Sequence, residues 1–197
     1  MNEAQWEKKL NIRTTAADFE KDDAHHSRYE PTSYAVLERL AESAYIKNTD
    51  TIVDYGCGKG RVGFFLNYVL GCKAVGVEYN QTLCAYAEEN LAAFSGRNRS
   101  GIRFECVSAE KYEVKDAGCF YFFNPFSAEI LRAVLNRIFD SYYANPRELR
   151  LFFYYALDEY LSILMTDERL SFAGEIDCRD LFPGENPKER ILIFEIN

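Results

Sequence analysis

Between residues 50 and 170, short apolar runs alternate with longer stretches whose apolar positions recur at helical spacing. The runs are 51–55, 74–79, 102–107, 119–123 and 150–156. They are too short for helices and predict strands. Between them, residues 60–70, 81–94, 127–144 and 157–165 predict helices. Strands that alternate with helices make parallel βαβ units joined by right-handed connections. Upstream, Tyr34, Val36, Leu37, Leu40 and Ala41 fall at helical spacing, with Thr32 or Ser33 placed to cap the helix. The tail breaks the alternation. Leu170–Cys178 and Arg190–Ile196 read as strands, and the turn-rich segment between them predicts no crossover helix, so they should be antiparallel neighbours. Residues 1–30 are polar and predict a mobile or helical extension, or a lid, ahead of one domain over 31–197.

Composition narrows the function classes. With 48% apolar and 27% charged residues, a chain of 197 residues should bury a sizeable core. The 15 Phe and 14 Tyr mostly supply that core. A net charge of −8 repels phosphate backbones, so nucleic acid is disfavoured as a partner. No secretory signal opens the chain and no apolar run is long enough to span a bilayer. Cysteines 57, 72, 84, 106, 119 and 178 contain no CxxC pair. Reduced thiols in a cytoplasmic protein are expected. The adjacent His25 and His26 have no partner at metal-ligand spacing, so no metal is predicted.

The segment Thr51-Ile-Val-Asp-Tyr-Gly-Cys-Gly-Lys-Gly-Arg61 carries the most chemistry. It reads as strand, glycine turn, helix. Such a turn brings backbone close to a ligand, and the helix aims its free N–H groups into the same crevice. Asp54, at the strand end, suits a ligand with a cationic amine. Gly58-x-Gly60-x-x-Gly63 also matches the dinucleotide fingerprint. A carboxylate ahead of the glycines would repel a pyrophosphate, and the antiparallel tail is foreign to a dinucleotide domain. With these features, Asp54-x-Gly56-x-Gly58-x-Gly60 resembles motif I of the class I S-adenosylmethionine-dependent methyltransferases.

The resemblance extends along the chain. It implies a single-domain, Rossmann-like α/β fold, with a seven-stranded, mostly parallel sheet and an antiparallel last strand. It implies S-adenosyl-L-methionine as cofactor, held by Asp54, Gly56, Cys57, Gly58 and Gly60. Glu78 ends the second strand, where the family places an acid on the ribose hydroxyls, and Tyr79 can lie against the adenine. Ala109-Glu110, after the third strand, matches the small residue and acid that read the adenine amino group. Asn124-Pro125-Phe126, after the fourth, resembles motif IV of the amino-methyltransferases, with an aromatic where a second proline is usual. There Asn124 and Pro125 would orient an acceptor amine toward the methyl group by hydrogen bonding, and Asn124 would also lie against the cofactor. Tyr29 or Tyr34 would shape the acceptor side. The implied activity is methyl transfer to an amine of a small molecule or protein side chain. A non-catalytic S-adenosylmethionine-binding protein and an NAD-dependent oxidoreductase are the alternatives.

Overall fold

The computed structural model describes residues 1–15, 29–184 and 186–197. Its elements are α1 (Glu3–Leu10), α2 (Tyr34–Glu42), β1 (Thr51–Tyr55), α3 (Arg61–Leu70), β2 (Lys73–Glu78), α4 (Gln81–Ala93), β3 (Ile102–Cys106), β4 (Cys119–Phe122), α5 (Ala128–Ala144), β5 (Arg150–Tyr154), α6 (Asp158–Thr166), β6 (Leu170–Asp177) and β7 (Arg190–Ile196). They build one sheet of order β3-β2-β1-β4-β5-β7-β6. Strands β1 to β5 are parallel, and β7 runs antiparallel to both β5 and β6. Every predicted strand and helix after residue 30 is present, shifted at its ends by one or two residues.

The two-residue period of the strands sends neighbours to opposite faces. Ile52, Tyr121, Phe152 and Ile193 face a core shared with Trp6, Leu37 and Leu66 from α1, α2 and α3. Val53, Phe120, Phe122 and Phe153 face a core shared with Leu135 and Ile138 from α5. On that second face Tyr55, Phe122 and Phe153 stand in register and stack, with ring centroids 5.1 and 4.6 Å apart. Each such pair adds about 0.5–1.5 kcal/mol beyond the area it buries. The stack forms a rigid floor under the carboxyl ends of β1, β4 and β5.

The N-terminal segment is helical from the start. Asn2 and Gln5 form a reciprocal cap on α1, which buries Trp6 and Leu10. The Trp6 indole N–H donates to Glu38 at 2.7 Å. At the other end of α2, Ser33 accepts from the Ala35 N–H, as the capping reading expected. His25 and His26 lie outside the described residues.

The cysteines depart from expectation at one pair. Cys84 and Cys106 form a disulfide, with Cα atoms 5.9 Å apart. Topology accounts for it. Cys106 ends β3 beside Glu78 of β2, and Cys84 lies in the first turn of the helix that follows β2. A sequence separation of 22 positions hides this closeness in the sequence. Cys57, Cys72, Cys119 and Cys178 are free and buried, packed as small apolar groups. Among the described residues no helix is long and apolar enough to cross a membrane.

Candidate active site

Asp54, the fourth residue of β1, reaches the carboxyl edge of the sheet and is 5% exposed. Burial, and secondarily the charge of Glu78, push its carboxyl pKa up to about 8. A buried carboxyl held in this way favours a cationic partner, which would restore its ionised form. The adjacent Cys57 thiol is pushed well above its ordinary value by burial and by the same two carboxyls. It is therefore a neutral packing group rather than a nucleophile.

The glycine turn is shaped by its protein neighbours. Gly56 has φ +73° and Gly58 has φ +53°. A Cβ on Gly56 would sit 2.3 Å from Pro125 Cβ, and one on Gly58 would sit 2.2 Å from the Tyr29 ring. The motif I turn thus packs directly against the Asn124-Pro125 turn on one side and Tyr29 on the other. Backbone bonds fix it to β2. Gly56 and Cys57 N–H donate to the Val77 carbonyl at 2.8 and 3.2 Å. Gly58 N–H donates to Glu78 Oε2 at 3.0 Å, and Asn80 N–H donates to Glu78 Oε1 at 2.9 Å. Glu78 thus ties the glycine turn to the start of α4 through both of its carboxylate oxygens. Gly60 caps α3, whose N-terminus opens beside this turn.

Tyr79 stands exposed at the mouth. Ala109 and Glu110 lie half-buried in the 3-10 turn Ala109–Lys111, where Arg137 Nε donates to the Glu110 carbonyl oxygen. Asp54, Gly56, Cys57, Gly58, Gly60, Glu78, Tyr79, Ala109, Glu110, Asn124 and Pro125 therefore all fall at or just beyond the carboxyl ends of adjacent parallel strands, where open α/β sheets bind ligands.

Two further side chains, Lys59 and Arg61, belong to this region. Lys59, although 4% exposed, sets its Nζ 5.2 Å from the Tyr29 ring centroid and 4.9 Å from that of Tyr86. Its place between Gly58 and Gly60 was the signal available in the sequence. Arg61 opens α3 and is also buried. Its guanidinium donates to Thr14 Oγ1 at 2.6 Å, Glu3 Oε2 at 2.5 Å, Thr15 Oγ1 at 2.8 Å and the Thr32 carbonyl at 3.1 Å. It also covers the Tyr34 ring at 4.4 Å. Tyr34 is thereby committed to the core, and of the two tyrosines considered for the acceptor side only Tyr29 reaches the glycine turn. Nothing in the local pattern of Arg61 predicts its role, because its partners are far away in sequence.

Asn124 is engaged differently from the motif IV expectation. It adopts φ +44°, and Tyr155, at the end of the neighbouring strand, adopts φ +53°. Asn124 Nδ2 donates to the Tyr155 carbonyl at 2.8 Å, and its Oδ1 accepts from Leu157 N–H at 3.3 Å. Both ends of the amide thus clasp the loop after β5. Asn186 Nδ2 in turn donates to the Tyr155 hydroxyl at 2.7 Å.

A family of methyltransferase domains matches residues 31–181. The chain belongs to this family. The methyltransferase domain has a sheet order with β7 inserted between β5 and β6, which also separates it from the dinucleotide-binding order. Solved structures share its fold. An RNA methyltransferase from Salinibacter ruber in complex with S-adenosyl-L-homocysteine is 17% identical, with TM-score 0.56 over 85% of this chain and 94% of that one. A TehB-like SAM-dependent methyltransferase from Corynebacterium glutamicum is 18% identical, with TM-score 0.59 over 82% and 88%. A Pyrococcus abyssi tRNA (uracil-54, C5)-methyltransferase is 17% identical, with TM-score 0.59 over 86% of this chain and 40% of that one. A comparison with curated protein sequences finds no match. Several similar structures are of RNA methyltransferases, so the expectation that nucleic acid is a poor partner, drawn from net charge, gains no support.

Proposed function

We propose that this methyltransferase domain transfers a methyl group from S-adenosyl-L-methionine to an acceptor seated at the Asn124-Pro125 turn. The observation that carries the reading is the pair of buried acids, Asp54 and Glu78, on adjacent strand ends around a left-handed glycine turn. That geometry suits a ligand with a cationic amine at one end and vicinal hydroxyls at the other. Asp54 would hold the amine, Glu78 the ribose hydroxyls, and Tyr79 with Ala109-Glu110 the adenine. When bound, the cofactor supplies an electrophilic methyl on a cationic sulfur.

The protein's own part is alignment and dehydration. Pro125, packed on Gly56, sets the acceptor turn at van der Waals distance from the cofactor turn. The Pro125 carbonyl and Asn124 Oδ1 would accept hydrogens from an acceptor amine of a small molecule or protein side chain. Within residues 1–30, read as a lid, α1 is anchored to Arg61 and Tyr29 lies on the glycine turn, while residues 16–28 lie outside the described residues.

Titration calorimetry with S-adenosylhomocysteine, with NAD as the control, tests the cofactor assignment. Binding on the order of micromolar for the first and none for the second is expected. Binding of NAD alone would sink the reading. Methyl transfer is then followed with labelled cofactor and panels of amines, peptides and RNA. Asn124→Ala should lose transfer and weaken S-adenosylhomocysteine affinity far less. Full transfer by that variant would remove Asn124 from the acceptor site.

A further inference from the structure

The disulfide joins the two elements that flank Glu78. Cys84 stands on α4, just after Asn80, whose N–H binds the Glu78 carboxylate and whose side chain caps the helix at Thr82 and Leu83. Cys106 is the register partner of Glu78 on β3, and the next residue, Val107, donates its N–H to the Glu78 carbonyl at 2.9 Å. Two residues further the chain enters the Ser108-Ala109-Glu110 turn. The sulfur pair therefore bridges the two sides of the adenosyl edge, with the ribose-binding acid between them.

Both sulfur states fit this position. Cys106 is exposed while Cys84 is buried. The Glu78 carbonyl lies 3.4 Å from Cys84 Sγ and can accept its thiol proton when the bond is open, so the buried thiol has a partner. The four other cysteines are buried. Exchange with a dissolved thiol or disulfide is thus directed to Cys106.

We propose that Cys84 and Cys106 form a reversible thiol–disulfide switch that sets the affinity of the adenosyl edge. The inference rests on the cofactor reading above. A low-molecular-weight disulfide is the oxidant. The Cys106 thiolate attacks one of its sulfurs, forming a mixed disulfide and expelling one small thiolate. The Cys84 thiolate then attacks Cys106 Sγ, forming the intramolecular bond and expelling the second. Two protein thiols are oxidised, one small disulfide is reduced to two thiols, and the two protein protons pass to them. The closed form fixes the spacing between α4 and the turn after β3, and a preorganised edge binds more tightly than one that must be ordered by its ligand.

The test combines rapid alkylation and peptide mass spectrometry with calorimetry, on wild-type protein equilibrated with oxidised or with reduced glutathione. Linked Cys84 and Cys106 peptides are expected only in the oxidised sample. Reduction should weaken S-adenosylhomocysteine binding by about three- to tenfold. Cys106→Ser should bind with the reduced-form affinity in both buffers, and Cys84→Ser should do so in the reduced buffer and carry an unresolved mixed disulfide on Cys106 in the oxidised one. Separate alkylation of both thiols after oxidation, or equal affinity of linked and unlinked protein, overturns the switch. Absence of S-adenosylhomocysteine binding in either state overturns the cofactor reading and the switch with it, an outcome distinct from equal affinity.

Discussion

Asp54 gives the most direct handle on the site. Its pKa rises from an ordinary 3.8 to about 8 on folding, so the native chain keeps the proton while the unfolded chain loses it. The stability this group contributes is whole below about pH 4, falls as pH rises, and is gone above about pH 8. Thermal melts of the ligand-free protein across that window should show the decline, and Asp54→Asn should flatten it. A cationic amine beside Asp54 reverses the balance. Binding of S-adenosylhomocysteine near about pH 7 should therefore release a proton, read from calorimetry in buffers of different ionisation enthalpy. No proton release would mean that the amine does not meet Asp54. Gly58 poses a separate test, because its φ of +53° and the Tyr29 ring both oppose a side chain. Gly58→Ala should destabilise the protein by about 1–3 kcal/mol in urea unfolding. Gly58→Ala combined with Tyr29→Ala should cost less than the sum of the two single changes, since the collision is then removed.

At the scale of elements, Arg61 joins the start of α3 to α1 and to the segments around Thr14 and Thr32. Glu7 depends on the same knot. It accepts from Thr14 N–H at 2.7 Å and from the Tyr34 hydroxyl at 2.9 Å. Removing the guanidinium leaves the buried Thr14 and the half-buried Glu7 without their cation. Arg61→Met should lower unfolding stability by about 3 kcal/mol. It should also release α1, read as faster proteolysis at Lys8, Lys9 and Arg13. Proteolysis at the wild-type rate would show that α1 is held by Trp6 and Leu10 alone. The helices and strands were largely legible because their apolar periods differ. The knot was not, because a polar N-terminal stretch reads alike whether its charges are solvated or folded onto a distant arginine. The Asn124 clasp was hidden for the same reason. The Asn-Pro turn is visible locally, whereas its hydrogen bonds to the loop after β5 join residues 31 and 33 positions away.

For the whole molecule, a ligand that binds only the native state stabilises it by mass action. S-adenosylhomocysteine at about a hundredfold excess over its dissociation constant should add about 2.7 kcal/mol. For a domain of this size that raises the melting temperature by about 5–10 °C, and NAD at equal concentration should leave it unchanged. The sequence by itself determined the alternation of strands and helices, the antiparallel tail and the acid-glycine turn. These are encoded within windows of a few residues, where apolar spacing and backbone freedom act directly. Only the tertiary structure decided that Asp54 and Glu78 share one buried crevice, that Tyr29 rather than Tyr34 covers the glycines, that Cys84 meets Cys106, and that the Asn124 amide holds the neighbouring loop. Each depends on which strand lies beside which. Burial, charge coupling and the closeness of two thiols arise from distance in space, and local pattern carries no measure of it.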